Sequence, residues 1–320
     1  MRSFIATIVA CLTLGGAADA QQAYPTRNVT IVVPFGVGSS VDIFTRAMAQ
    51  HLHTELGQPF VIVNRPGAGG NIGATSVAQA QPDGYTLLMA TTGPAANNKF
   101  MYKDMAFDPD KDFEAVAVIG TAPIIITTRP NAPFKTLKEM VDYAKANPDK
   151  LNVGFPGNGS LGHITGELIK SRQGLKFGTI QYKGSGAIVV DLVGGQIDLA
   201  MDSIAPYVAQ VKEGKLRGLA LGARQRFEGL PDVPTMAEAG FPSLEASVFY
   251  AMLAPRGTPA EIVTRLNKAA NDYLKTETAI KILGGAGIQP SQSTPAEAKK
   301  YIAAEAAKWE PIIKGANIRF

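Results

Sequence analysis

Strands and helices alternate along this chain in one order, and that order is then repeated. This constrains the fold more than any other feature of the sequence. The stretch 28–34 (NVTIVVP) is rich in β-branched residues and reads as a buried strand closed by a Gly/Ser loop. From 41 to 56, Ile43, Ala47, Leu52 and Leu56 recur about one helical turn apart, which predicts a helix. A strand at 60–63, a loop at 66–70, a helix at 71–80 and a strand at 85–89 complete the first set. The order restarts with a strand at 151–155, the loop Pro156-Gly157-Asn158-Gly159-Ser160 and a helix to about residue 172. It continues with a strand at 179–182, a helix at 187–193, a strand at 197–201, a helix near 206–212 and a strand at 216–221. Strands alternating with helices imply parallel pairing, so two similar α/β lobes are expected. Two apolar extended segments, 114–128 and 245–254, are expected to cross between the lobes. Helices at about 260–283 and 295–313 should pack back on the first lobe. The expected division is 21–121 with 250–320 for lobe 1, and 122–249 for lobe 2.

Residues 1–20 stand outside this pattern. Arg2 precedes an apolar run, Phe4 to Leu14, that is too short to span a bilayer, and Ala18-Asp19-Ala20 has the small-x-small form of a cleavage site. The segment reads as a secretory signal cleaved after Ala20, which implies a periplasmic product. Cys11 is the single cysteine, so the mature chain would carry no thiol; lipidation at Cys11 is the competing reading. One cysteine excludes a disulfide scaffold and a Cys-based zinc site. The net charge, 31 − 27 = +4, comes from scattered residues and forms no run that would suit a nucleic acid.

In a parallel α/β layer, ligands sit where strands end and helices begin. Helix N-termini there carry unpaired N–H groups and partial positive charge, so they favour anions. Four such loops combine glycine with hydroxyls: Gly36-Val37-Gly38-Ser39-Ser40, Thr91-Thr92-Gly93, Gly157-Asn158-Gly159-Ser160 and Gly184-Ser185-Gly186. A small anion between the lobes would meet opposed helix ends, a geometry that suits a dicarboxylate. Each loop also has a plainer reading. Ser39 with Asp42 fits a capping box, and Ser160 could cap its helix without touching a ligand.

Gly67-Ala68-Gly69-Gly70-Asn71-Ile72-Gly73 misses the G-x-G-x-x-G spacing of a dinucleotide site, and a tight strand-to-helix turn fits it better. No G-x-S-x-G elbow or P-loop is present, so no cofactor is expected. His51 and His53 lie in a helical stretch and are expected to face solvent. Trp309 should be core or surface packing. A hydrolase using Ser160 with His163 as base remains the alternative, although neighbours three apart on one helix end rarely form a triad.

The ordered series of motifs resembles the Bug-type periplasmic substrate-binding proteins of tripartite tricarboxylate transporters. It runs from Tyr24-Pro25 through Val32-Val33-Pro34-Phe35, Asn64-Arg65-Pro66-Gly67 to Gly73 and Pro82-Asp83-Gly84-Tyr85. It continues with Gly157 to Ser160 with His163, Tyr182-Lys183-Gly184, Gly194-Gly195-Gln196-Ile197-Asp198, Leu230-Pro231-Asp232-Val233-Pro234-Thr235 and Leu253-Ala254-Pro255. The resemblance implies a two-lobed, type II-like periplasmic-binding-protein fold, each lobe a sheet flanked by helices. It implies a monomeric, non-enzymatic receptor that passes a di- or tricarboxylate, or an aromatic acid, to membrane transporter subunits. Carried over by position, its ligand residues would be Phe35, Ser39, Ser40 and Asp42 with Thr92 and Gly93, facing Asn158, Ser160, His163, Tyr182 and Asp202. The glycines Gly36, Gly38 and Gly159 belong to the same loops. The family's first loop reads Pro-Phe-x-x-Gly-Gly, whereas Ser39 follows Gly38 here; serine tolerates positive φ poorly, so a different loop shape is expected. Segment 92–97 departs as well, which suggests altered selectivity.

Overall fold

The computed structural model describes residues 24–320. The expected signal segment, with Cys11 and Ala20, lies outside the described residues. The first half contains β1 (Val29–Val33), α1 (Ser40–Leu56), β2 (Phe60–Asn64), α2 (Asn71–Ala78), β3 (Thr86–Thr91), β4 (Phe113–Thr128) and α3 (Leu137–Ala146). Then come β5 (Asn152–Phe155), α4 (Leu161–Gln173), β6 (Gly178–Gln181), α5 (Ser185–Gly194), β7 (Leu199–Ser203), α6 (Val208–Lys212) and β8 (Arg217–Leu221). The chain closes with β9 (Ser247–Pro255), α7 (Ala260–Leu274), α8 (Glu277–Gly285), β10 (Gln289–Pro290) and α9 (Pro295–Gly315).

Two parallel-stranded units form, as the repeated order predicts. In the first, β1 runs parallel to β2 and β3; in the second, β5 runs parallel to β6 and β7. Strand β1, VTIVV, is buried on both faces apart from Thr30, which is why it reads as a continuous apolar run. The two extended segments join the units. Strand β9 lies antiparallel between β3 and β4, and β4 is 16 residues long. Residues 113–123 of β4 pair with β9, whereas 124–128 pair with β7 and β8. One strand thus belongs to both sheets, and the path β2-β1-β3-β9-β4-β7-β5-β6 is continuous. Helices α7 and α9 pack on β4, and α7 also meets α1, so the C-terminal helices return to the first sheet.

Three local expectations change. The helix expected over about 260–283 is broken, because Thr276 starts α8 by accepting from the Ala279 N–H. Helix α3 adds an element to the expected order; Thr136 caps it, and Leu137, Met140, Val141 and Ala144 are buried at helical spacing. Residues Gly93–Asn97 form a π-helical turn followed by a 3-10 turn, Asn98–Phe100, in place of a simple loop. Trp309 is core, 2% exposed, with its indole N–H donating to Glu305. His53 is exposed as expected. His51 is not: it is half-buried, 2.9 Å from Glu55, and packs on Tyr273 with ring centroids 5.4 Å apart.

Candidate functional site

Between the two sheets lies a narrow cavity of about 40 Å3. Phe35, Ser39, Ser40, Val41, Thr91, Val248 and Tyr250 line it from the side of the first sheet. Ile124, Pro156, Ser160, Leu161, Gly162, Ser185, Asp202 and Ser203 line it from the other. The polar groups are mostly hydroxyls at helix starts and strand ends, and among the described residues no lysine or arginine lines the cavity.

The first helix start is built by the Gly-Ser loop after β1. Gly38 takes the left-handed conformation, φ +80°, so Ser39 need not: it sits at φ −69°, ψ 157°, the extended geometry of an N-cap. Ser39 thus avoids the positive φ that serine tolerates poorly. The Ser39 hydroxyl accepts from the Asp42 N–H at 3.4 Å. Asp42 does not reach back to Ser39, as a capping box would require. Its carboxylate accepts from the Gly38 N–H at 3.0 Å and from Asn64 at 2.9 Å, and it pairs with Arg46. Burial pushes the Asp42 carboxyl up, but these hydrogen bonds outweigh it and hold the group below the usual carboxylate range. Asp42 fixes the loop from behind.

The second helix start follows β5. Ser160 caps α4 at φ −61°, ψ 152°, and its hydroxyl accepts from the His163 N–H at 3.3 Å. Gly162 lets α4 lie directly on β7, because a Cβ there would come within 2.0 Å of the Met201 carbonyl oxygen. The His163 ring is buried between Phe155 and Phe320, with centroids 5.1 Å from each. Its Nδ1 accepts from the Gly159 N–H at 3.3 Å. Burial lowers its pKa, Lys170 lowers it further, and Glu167 opposes both.

Among the described residues, Asp202 is the one ionisable carboxyl in the lining. It accepts from its neighbour's N–H (Ser203) at 2.6 Å, from the Tyr207 hydroxyl at 3.2 Å and from Ser185, at the start of α5. Burial raises its pKa to about 6, against these bonds. The Ser40 and Ser203 hydroxyls meet directly across the cleft. The Tyr250 hydroxyl is buried beside them without a partner in hydrogen-bonding geometry.

The cavity thus collects Phe35, Ser39, Ser40, Ser160 and Asp202 from the residues expected at the site. The others stand behind or beside it. Thr92 accepts from the Phe249 N–H at 2.9 Å, which ties β9 to the end of β3. Gly93 opens the π-helical turn, close to the Gly159 carbonyl. The Asn158 carbonyl accepts from the Tyr102 hydroxyl at 2.8 Å, while its side chain meets Gln181. Tyr182 donates to Asp191 at 2.6 Å. Gly36 donates its N–H to the Lys183 carbonyl at 2.8 Å. Sequence reasoning named the loops that hold Thr91 and Ser185 without carrying either residue into the ligand set, and it missed Ser203 and Tyr250 as lining residues. Ser185 carried a signal, the Gly-Ser-Gly loop opening a helix. Ser203 and Tyr250 come from strands with no local mark.

Among the described residues no His, Cys, Asp and Glu side chains cluster as a metal site, and no helix is long and apolar enough to cross a membrane. Two α/β units joined through shared strands, with capped helix starts from both facing one cleft, define a two-lobed solute-binding receptor. The model of the tripartite tricarboxylate transporter family receptor matches residues 44–318, and the chain belongs to that family. It is 33% identical over 299 residues to Protein BugT of Bordetella pertussis, covering 92% of each chain. Among solved structures it resembles Rpa4515 of R. palustris with adipate, at 36% identity and TM-score 0.89 over 92% of this chain and 99% of that one. It also resembles MatC of Rhodopseudomonas palustris with bound malate, at 34% identity and TM-score 0.87 over 91% and 100%.

Proposed function

We propose that this chain captures a small carboxylate between its lobes and delivers it to membrane transporter subunits. One observation carries the reading: Ser39 and Ser160, the N-caps of helices on two different sheets, line one cavity. Each helix start offers free N–H groups and a partial positive charge, worth roughly 0.3–1 kcal/mol for an anion at each end. An oxyanion hydrogen-bonded there adds about 1.5–3 kcal/mol per bond. Without a cation in the lining, both carboxylates of a dicarboxylate would rest on amides and hydroxyls. Adipate and malate in the two relatives support a dicarboxylate over an aromatic acid.

The lobes that close on the ligand are 21–121 with 250–320, and 122–249. The chain is exported to the periplasm after loss of residues 1–20, acts as a monomer and performs no catalysis. The hydrolase alternative draws no support from the site: the His163 ring is buried and its Nδ1 is engaged by a backbone amide, while the Ser160 hydroxyl serves as a helix cap.

Calorimetry of chain 21–320 against adipate, malate, citrate and benzoate tests the reading. Heat with at least one dicarboxylate, at one ligand per chain, is expected. Silence with every acid, together with ester turnover abolished by Ser160→Ala, would overturn it in favour of the hydrolase.

A further inference from the structure

The two sheets touch through bare backbone at two places that flank the cavity. At the first, the loop after β1 meets the loop after β6. The Gly36 N–H donates to the Lys183 carbonyl at 2.8 Å, and Gly184 lies against the Gly36 backbone. A Cβ on Gly184 would stand 3.0 Å from both the Cα and the N of Gly36, and one on Gly36 would stand 3.0 Å from the Lys183 carbonyl oxygen. At the second, a Cβ on Gly69 would come within 2.0 Å of the Asn158 carbonyl oxygen, to which Tyr102 also donates.

Gly69 has a conformational reason to be glycine, since its φ is +61°. Gly184 has none of that kind. Its φ of 174° is extended backbone open to any residue, and Gly36 also lies outside the left-handed region. What favours glycine at these two positions is the close approach of the opposite sheet. Both adjoin the lining: Gly36 follows Phe35, and Gly184 precedes Ser185.

We infer that Gly36 and Gly184 are positioning residues, a backbone latch between the lobes whose closeness sets how far the cleft shuts and how slowly a bound acid leaves. The inference rests on the reading of the cleft as a ligand site. A methyl at either position makes the opposite backbone give by a few tenths of an ångström, and a larger side chain moves the lobes further apart. The hydroxyls and amides of one lobe then no longer reach a ligand held by the other. Because neither residue touches the cavity, the effect falls on closure and leaves the contacts within each lobe intact. A closed state made less favourable weakens binding in proportion to its lost population.

The test uses Gly184→Ala and Gly184→Val, with Gly194→Ala as control. Gly194 lies near the end of the same helix, and nothing stands within 4 Å of where its Cβ would be. Affinity and dissociation rate are measured by stopped-flow with adipate or malate, whichever the unaltered chain binds. Hydrogen exchange of the Gly36 amide is followed without any acid. Dissociation should quicken from Ala to Val, reaching roughly ten-fold for Val, equivalent to about 1.4 kcal/mol. Association rates, and melting temperatures without acid, should stay near those of the Gly194→Ala control. Protection of the Gly36 amide should fall in the same order. Unchanged dissociation in the valine variant would overturn the latch, as would equal losses in association and dissociation. If the unaltered chain binds neither acid, the exchange measurement still decides: a Gly36 amide equally protected in all variants overturns the latch. Its graded exposure sustains the latch while the ligand reading fails.

Discussion

Ser160 shows how one hydroxyl can serve two roles. It caps α4 and also lines the cavity, so Ser160→Ala should register in two separate measurements. Loss of the cap should lower unfolding free energy by about 1 kcal/mol in urea titration. Loss of a ligand donor should weaken acid binding by about 1–3 kcal/mol in calorimetry. A loss of stability with affinity unchanged would leave Ser160 a cap alone. Asp202 makes a prediction in pH. Its pKa is 3.8 in the unfolded chain and about 6 in the fold, so the folded state binds more protons between those values. Its contribution to stability is therefore complete below pH 3.8 and is lost as pH rises through about 6. Asp202→Asn removes that titration. Its stability relative to the unaltered chain should climb between pH 4 and pH 7 in chemical denaturation, and a flat difference would refute the burial argument. His163 acts in the opposite direction, since its lowered pKa makes stability fall as pH drops below 6.5.

At the scale of elements, the helix starts depend on small residues behind them. Helix α4 reaches the cleft only because Gly162 lets it lie against the β7 backbone. Gly162→Ala should overpack that contact and cost about 1–3 kcal/mol or more, read as a lower urea midpoint with an unchanged slope. Most elements were legible in the sequence, since β-branched runs and helical spacing report burial directly. Helix α3 carried the same apolar spacing and a Thr136 cap, and its signal was there to be read. The break at Thr276 and the π-helical turn at Gly93–Asn97 are different cases. Thr276 is itself a local mark, an N-cap with Glu277 in the first turn, whereas the turn at 93–97 has no side-chain cap. Thr92 illustrates the same limit within the site: a hydroxyl in a Gly-containing loop suggested a ligand contact, yet the β9 amide claims it.

At the scale of the whole molecule, β4 and β9 decide how the two lobes stand. Because β4 enters both sheets, any motion between the lobes would have to bend these shared strands. A ligand gripped from both sides should stabilise the entire chain by mass action. At a free concentration about a hundred times its dissociation constant the gain should be about 2.7 kcal/mol, visible as a raised melting temperature. A bound acid that leaves the melting temperature unchanged would argue that it rests on one lobe only. The sequence alone determined the two α/β units, their order, the polar loops between strand and helix, and the family, because these follow from local periodicity and short motifs. Tertiary structure alone decided which hydroxyls face the cavity and which hold the scaffold. That choice depends on how far apart two sheets sit, a distance set by backbone contacts such as Gly36 on Gly184 between residues far apart in the chain.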